Sequence, residues 1–239
     1  MKSTASSSVL AYRYAIYFSP KETALARFGA AALGYDIHTG ADVEPNCPES
    51  VDAEQWSALT SCARGYGFHA TLKAPFRLAQ DTDESALLEA FEAFCDQHHA
   101  VSLPGLAVRV HHGFLAVTPS EQSAELFALE RKIVEDFEPF RASLTEAEVA
   151  RRKPHRLTER QKSYLDRFGY PFVFDDFQFH MTLSAFVGGE PFVPSLLAEL
   201  DNSLQQALET EETMLDSLTL AQQKTPEAAF LALDSRALK

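Results

Sequence analysis

The stretch Phe68-His69-Ala70-Thr71-Leu72 has a second copy later in the chain, Phe179-His180-Met181-Thr182-Leu183. Both copies alternate apolar and polar residues, which is the two-residue period of a strand with one buried face. The pattern predicts that His and Thr share the face turned away from the core. An imidazole and a hydroxyl two residues apart, roughly 6–7 Å, can both contact one small anion. Two such pairs predict one phosphate-sized site built from two halves.

A single copy has a simpler structural interpretation. Thr is a common strand residue, and an isolated His is often a surface or hydrogen-bonded residue. The duplication favours the functional interpretation, because the similarity extends into the flanking sequence. Aromatic residues precede both copies, at 66–68 and 177–179, and apolar residues continue to Phe76 and Phe186.

Composition restricts the classes of protein and partner. The 239 residues, of which 46% are hydrophobic, can form one large domain or two small lobes with a substantial core. A net charge of −13 disfavours binding of long nucleic acid, where Lys and Arg neutralise phosphates. The three cysteines are odd in number and lie in no metal-like spacing, which indicates a reducing, cytoplasmic location.

The amino-terminal residues 1–8 are small, polar and rich in Ser, without the apolar stretch of a secretory signal. We therefore expect a disordered tail over residues 1–10. No stretch approaches the roughly 18 apolar residues of a membrane-spanning helix, so we expect no membrane partner. The oligomeric state is left open.

Local patterns predict an α+β fold. Strands are predicted at 13–18, 65–78, 106–111, 114–119, 172–186, 214–222 and 229–234, and helices at 21–33, 53–62, 83–98, 123–137, 145–167 with a break at Pro154, and 194–208. Each His strand is followed by a helix and two strands. This repeat predicts one two-lobed domain over residues 11–239, with pseudo-repeats at about 11–119 and 120–239 and antiparallel sheets around a central cleft, helices outside. No Gly-rich phosphate loop is present, so Rossmann or P-loop nucleotide binding is not supported.

These motifs resemble those of the two-histidine (2H) phosphoesterase superfamily, which has paired His-x-Thr or His-x-Ser motifs in a duplicated, two-lobed α+β fold. The segments at 13–18 (RYAIYF), 65–73 (GYGFHATLK) and 169–183 are similar, more narrowly, to the branch encoded among phosphonate-degradation genes. The resemblance covers most of the chain from about Arg13. It implies a cyclic phosphodiesterase-type hydrolase, but it does not define the natural substrate.

The residues in the motifs fit this chemistry. In-line cleavage of a phosphodiester needs one group that deprotonates the attacking hydroxyl and another that protonates the leaving oxygen. His69 and His180 are the candidate acid and base, and the hydroxyls of Thr71 and Thr182 are candidate donors to the non-bridging oxygens. This mechanism requires no metal and no cofactor. The sequence does not assign which histidine is the acid.

A metal site is the alternative, since His is the commonest metal ligand. Neither motif supplies an acidic neighbour. Asp175 and Asp176 precede the second motif, but Asp176 and His180 lie about 13 Å apart along a straight strand. A metal site is therefore not predicted.

Candidates for substrate binding lie outside the motifs. Residues 151–162 (RRKPHRLTERQK) contain six Arg or Lys and one Glu, a local charge of +5, so Arg151 and Arg152 are candidates to capture an anionic substrate. A solvated basic helix surface explains the segment equally well. Arg13 and Tyr17 are further candidates, although Tyr17 also fits a core position, and the role of Lys73 depends on whether its strand is bulged. The remaining histidines, including His111 and His112, are assigned structural or surface roles.

The leading functional hypothesis is a metal-independent phosphoesterase acting on a small cyclic phosphate or phosphodiester. The resemblance adds phosphonate metabolism, where sugar cyclic phosphates are intermediates. One alternative is an RNA-end 2′,3′-cyclic phosphodiesterase, and another is a non-catalytic module that binds a phosphorylated or phosphonylated metabolite. Two titratable histidines favour catalysis, because an anion-binding module has no need of an acid and a base.

Overall fold

A computed structural model describes residues 12–152, 157–209 and 212–239, so the predicted tail at 1–10 lies outside the described residues. The strands in these ranges are β1 (Arg13–Phe18), β2 (Ala70–Phe76), β3 (Val101–Ser102), β4 (Ala107–His111), β5 (Phe114–Thr118), β6 (Met181–Phe186), β7 (Met214–Leu215), β8 (Ser217–Gln223) and β9 (Leu231–Ala237). The helices are α1 (Ala24–Leu33), α2 (Ala53–Arg64), α3 (Glu84–Cys95), α4 (Ala124–Asp136), α5 (Glu146–Arg152), α6 (Glu159–Phe168) and α7 (Val193–Leu208).

Side-chain caps determine where most of the helices begin. Thr23, Asp52, Asp83, Ser123 and Thr158 each accept a hydrogen bond from the backbone N–H three residues later. Helix α1 therefore begins at Ala24, whereas the sequence pattern predicts a start at residue 21. The helix predicted over 145–167 is observed as α5 and α6, and Pro154 lies between them, outside the described residues. No helix in the described ranges is long and apolar enough to cross a membrane.

The strands confirm the α+β class and the antiparallel pairing. Seven strands form one sheet in the order β4-β5-β6-β2-β1-β8-β9, and β3 pairs with β7 in a separate ladder. The sequence pattern predicts antiparallel sheets on two lobes around a cleft. In the structure the two motif strands are neighbours, so one sheet runs through both halves of the chain. The duplicated, two-lobed organisation stays a prediction.

Apart from the edge strand β9, the strand order is symmetric about the β2–β6 pair. Strands β1 and β8 follow β2 on one side, and β5 and β4 follow β6 on the other. Along the chain, the order β1, helices, β2, α3, β3, β4 is repeated as β5, helices, β6, α7, β7, β8. The last strand of each series pairs with the first strand of the other, since β4 pairs with β5 and β8 with β1.

The main hydrophobic core covers one face of this sheet. Helices α1, α2, α3, α4 and α7 contribute to it through residues such as Leu25, Trp56, Leu87, Leu126 and Leu196. Alternate residues of β1 point in opposite directions. Ile16 joins the main core, whereas Tyr17 joins a smaller cluster with Ala15, Tyr35, Ile37, Ala221 and Phe230 on the other face. The face with the smaller cluster is the one that holds the motif histidines.

A buried carboxyl fixes the segment that leads into the second motif. Glu130 of α4 is fully buried and accepts hydrogen bonds from the backbone N–H of Phe174, at 3.2 and 3.3 Å. Phe174 has a φ of +56° and begins a 3₁₀ turn over 174–176. For this reason β6 begins at Met181, whereas the sequence pattern predicts a strand from 172. Burial raises the pKa of Glu130 to about 8, although the Phe174 N–H lowers it in part.

We predict that Glu130 makes folding stability pH-dependent. Its folded-state pKa of about 8 exceeds the ordinary value of 4.5, so the folded protein holds this proton more tightly. The free energy of unfolding should therefore fall as pH rises from about 4.5 to about 8, by at most about 1.4 kcal/mol per pH unit. Glu130→Gln should remove this slope in urea unfolding measured across that range. The exposed Asp136→Asn on the same helix should keep it, and an unchanged slope in Glu130→Gln would contradict the prediction.

Candidate functional site

The β2–β6 pairing brings the two motifs together. Ala70 is directly opposite Met181, and both are buried in the main core. In antiparallel register the next pairs outward are His69 with Thr182 and Thr71 with His180. By alternation with the buried Ala70 and Met181, the four side chains lie on the opposite face of the sheet, although both histidines directly precede the strands. We call these four residues the array, and within it the charge of His180 acts on His69.

Local hydrogen bonds orient the His69 ring. Its Nδ1–H donates to the carbonyl of Gly67 at 2.9 Å, and its Nε2 accepts from the Thr71 hydroxyl at 3.1 Å. A carbonyl can only accept, so this bond selects the tautomer with the proton on Nδ1. Gly67 has a φ of +72°, and a Cβ at this position would lie 2.6 Å from the Ile37 side chain. Only glycine fits there without displacing Ile37.

The His180 ring is oriented in the same way. Its Nδ1–H donates to the carbonyl of Gln178, also two residues earlier, at 2.7 Å. In the neutral ring, Nε2 therefore carries the lone pair, as it does in His69, where that lone pair accepts from Thr71. Both histidines thus have Nε2 as the nitrogen that exchanges a proton.

An aromatic or imidazole ring covers each histidine. The Tyr17 ring lies 3.9 Å from the His69 ring between centroids, and Tyr66 is more distant at 6.1 Å. His111 stacks on His180 at 4.6 Å with an interplanar angle of 24°. The sequence pattern predicts a structural or surface role for His111, whereas the structure places its ring against His180. Its position at a hairpin gave no signal of this contact, which joins residues far apart in the chain.

Burial lowers the pKa of both motif histidines. It lowers the pKa of His69 to about 4, opposed by the Gly67 carbonyl, and the nearby His180 lowers it further. The pKa of His180 is also lowered, first by burial and then by His112, against the effect of the Gln178 carbonyl. Both rings are therefore neutral at pH 7. An anion placed between them would raise both pKa values, because opposite charge favours the protonated form.

Lys73 is not brought to the array. It pairs with Ile16 after a register shift in β2, so it faces the main core and not the face that holds Thr71. Its ammonium is buried and donates to the carbonyl of Val134 at 2.9 Å and to Glu138 at 3.0 Å. The bulge in β2 therefore turns Lys73 away from the predicted substrate site.

Arg13 and Tyr17 lie on the site face at different distances from the histidines. Tyr17 is fully buried and forms a wall beside His69. Arg13 is four residues further along β1, about 13 Å away in an extended strand. Its guanidinium donates to Gln223 at 2.7 Å and lies over the Phe230 ring at 5.6 Å. The structure thus places Tyr17 against His69, and Arg13 over Phe230, a ring that packs against Tyr17.

The basic segment is only partly described. Arg151 and Arg152 end helix α5, and their side chains lie outside the described residues, as do residues 153–156. Further along the segment, Arg160 forms an ion pair with Asp176 at 2.8 Å, and Lys162 contacts Glu159 at 2.6 Å. The role of Arg151 and Arg152 in substrate binding stays a prediction. Across the described ranges, no three His, Cys, Asp or Glu side chains converge in a way that could hold a metal ion.

Comparisons with known proteins give a family and a context. A family described as "Protein of unknown function (DUF1045)" matches residues 71–231, more than half of the chain. A protein named ribose 1,5-bisphosphate phosphokinase PhnN, from Janthinobacterium sp. (strain Marseille), is 34% identical over 222 residues, covering 92% of this chain and 49% of the relative. The protein of the same name from Laribacter hongkongensis (strain HLHK9) is 30% identical over 205 residues, covering 82% and 46%.

The chain thus spans about half the length of these curated relatives. A solved structure, the conserved protein of unknown function ATU0111 from Agrobacterium tumefaciens str. C58, aligns with a TM-score of 0.39 and 15% identity, covering 94% of this chain and 85% of that one. The extent of the family match is the decisive result. The chain belongs to the DUF1045 family.

Proposed function

We propose that this chain is a metal-independent phosphoesterase of the 2H type that hydrolyses a small cyclic phosphate or phosphodiester in phosphonate metabolism. The observation that supports this most is the β2–β6 pairing, in which Ala70 lies opposite Met181 and the two His-x-Thr motifs are therefore neighbours. The carbonyls of Gly67 and Gln178 fix both rings so that Nε2 exchanges the proton. A phosphate on this face would lie between an acid and a base.

The four residues of the array can supply every proton transfer and hydrogen bond that hydrolysis requires. One Nε2 accepts a proton from water as its oxygen forms a bond to phosphorus. A P–O bond in the cyclic phosphate breaks. The second histidine, which starts as the imidazolium, gives its Nε2 proton to the leaving oxygen, and the products are a phosphomonoester and an alcohol. The hydroxyls of Thr71 and Thr182 donate to the non-bridging oxygens. Proton exchange with solvent then restores the starting states.

We assign His69 as the base and His180 as the acid for hydrolysis. The Thr71 hydroxyl donates to Nε2 of His69, so that nitrogen has no proton in the free protein. The pKa of about 4 keeps His69 neutral near pH 7. When a phosphate binds, Thr71 turns to a phosphate oxygen and frees Nε2 to accept a proton. The same anion raises the pKa of His180, which then supplies the proton.

A cyclic ribose phosphate is the first substrate to test. Both curated relatives are named as kinases of ribose 1,5-bisphosphate, and this chain matches about half of each. The chain has no GxxxxGK[ST] phosphate loop, so we infer that the kinase activity belongs to the half it does not match. A phosphoesterase acting on ribose cyclic phosphates would fit beside such a kinase, because opening the ring produces a ribose phosphomonoester.

A nucleoside 2′,3′-cyclic phosphate is the second candidate substrate. The half-buried Tyr66 lies nearly parallel to His69 at 6.1 Å and to Phe230 at 5.2 Å. Such a flat surface beside the site can stack a base. The net charge of −13 argues against a long RNA but not against a single nucleotide.

We predict hydrolysis of ribose 1,2-cyclic or nucleoside 2′,3′-cyclic phosphate in the presence of EDTA. His69→Ala and His180→Ala should each lower kcat by about 10²–10⁴-fold, because each removes one proton-transfer group. The exposed His99→Ala is the matched control and should retain activity. The pH dependence of kcat/KM should be bell-shaped. Binding of these compounds without turnover would contradict catalysis and favour the binding-module alternative.

We also predict that the two threonines act through their hydroxyls. Thr71→Val and Thr182→Val keep the shape of the side chain but remove the donor, so kcat should fall by about 10²-fold. Thr71→Ser and Thr182→Ser should retain most of the activity. Kinetic measurement on the best substrate of the panel tests this, and equal loss in the Val and Ser variants would argue against hydrogen-bond donation.

A further inference from the structure

We propose that His111 is a positioning residue for His180, a role that rests on the proposed function of the array. His111 ends β4 and is followed by a tight turn at His112 and Gly113, with φ values of +48° and +88°. Positive φ at both central residues is the conformation of a type I′ hairpin turn. The turn returns the chain into β5, where Phe114 is opposite His111.

The hairpin places two rings against His180. The His111 ring stacks on the His180 ring at 4.6 Å and 24°, and the Phe114 ring contacts the His180 ring at 5.6 Å. Phe114 also packs edge-on against His111 at 5.2 Å. The three rings therefore support one another, and rotation of the His180 ring requires the His111 ring to move.

The hairpin turn is also tied to the backbone of the second motif. The His112 ring lies 3.0 Å from the side-chain oxygen of Gln178, to which its Nε2–H donates. The carbonyl of the same Gln178 accepts the Nδ1–H of His180 at 2.7 Å. One residue thus links the turn to the catalytic ring, which fixes both the position of the hairpin and the direction of Nε2.

The two halves of the array differ in the ring that covers the histidine. His69 is covered by Tyr17, a fully buried phenol, at 3.9 Å. His180 is covered by a half-buried imidazole that can itself be protonated. Two stacked imidazolium ions would repel each other, so His111 has to stay neutral while His180 carries its proton.

The surroundings keep His111 neutral. Among the described residues, the charged groups that lower the pKa of His111 are His180 and His112, and the one that lowers the pKa of His180 is His112. All are histidines, so none stabilises a second positive charge. Burial lowers the pKa of His111 to about 4, with His180 and His112 adding to the shift. Near pH 7, His111 is therefore an uncharged flat cover that excludes water from one face of His180.

Two substitutions distinguish shielding of His180 by a flat ring from an effect of the imidazole of His111 itself. His111→Ala removes the ring, so water reaches His180 and the pKa of His180 should rise toward its ordinary value of 6.5. The His180 ring is then held only by its hydrogen bond to the Gln178 carbonyl and by Phe114, so its orientation is less well defined and kcat should fall by about tenfold with little change in KM. His111→Phe restores a flat, neutral cover, so it should rescue most of kcat and keep the pKa of His180 low.

The experiment is an NMR titration of the His180 ring in the full chain without substrate, together with kcat and KM across pH. Wild type, His111→Ala, His111→Phe and the distant control His99→Ala are compared. His111→Gln replaces His111→Ala if that variant does not fold, because Gln fills space without a flat ring. A rise in the pKa of His180 in the Ala or Gln variant, absent in Phe, is the expected result.

The outcomes are distinguishable. Identical His180 titrations in the Ala, Gln and Phe variants would overturn the positioning role, whatever the activity. A shifted titration in a protein that hydrolyses none of the cyclic phosphates would support the contact between the two rings and overturn the proposed function instead. Equal loss of kcat in Ala and Phe would show that His111 acts through its nitrogens, which also overturns positioning by stacking.

Discussion

The antiparallel pairing of β2 with β6 is the constraint on which the site depends. Ala70 and Met181 meet across the two strands with their side chains in the main core. A slip of one residue in either strand would turn its His and Thr into that core, where unpaired polar groups are costly. Burial of the apolar residues between them therefore holds the four polar residues on the other face.

Short-range hydrogen bonds orient the rings of the two motif histidines. Each motif histidine donates from Nδ1 to the carbonyl two residues earlier, that of Gly67 or Gln178. The two carbonyls depend on different supports. Gly67 has a left-handed conformation against Ile37, while the chain before Gln178 is held by the buried Glu130 and Phe174. Similar ring orientations thus arise from unrelated packing, which is how a repeated motif can be retained in dissimilar surroundings.

The surroundings make the two histidines chemically different. His69 is covered by Tyr17 and accepts from Thr71, whereas His180 is stacked on His111 near a second histidine, His112. An acid and a base must differ in their readiness to hold a proton. A symmetric pair of motifs provides no such difference, so the neighbouring rings have to provide it.

Much of the architecture is encoded locally. The period-two alternation identified the motif strands and the face of each His and Thr, and apolar spacing identified the helices, with cap residues such as Thr23 defining their starts. Errors occurred where a contact between distant residues changed the backbone. The hydrogen bonds from Phe174 to Glu130 hold a 3₁₀ turn in a segment predicted as strand. The register shift in β2 turned Lys73 toward Glu138.

The sequence by itself determined that two His-x-Thr strands exist and which of their side chains avoid the core, because alternation depends only on neighbouring residues. Only the tertiary structure decided that these strands are adjacent, that Arg13 lies over Phe230, and that His111 lies on His180. Strand pairing and hairpin curvature depend on contacts between residues far apart in the chain. No local pattern specifies such contacts, and they set the chemistry of this site.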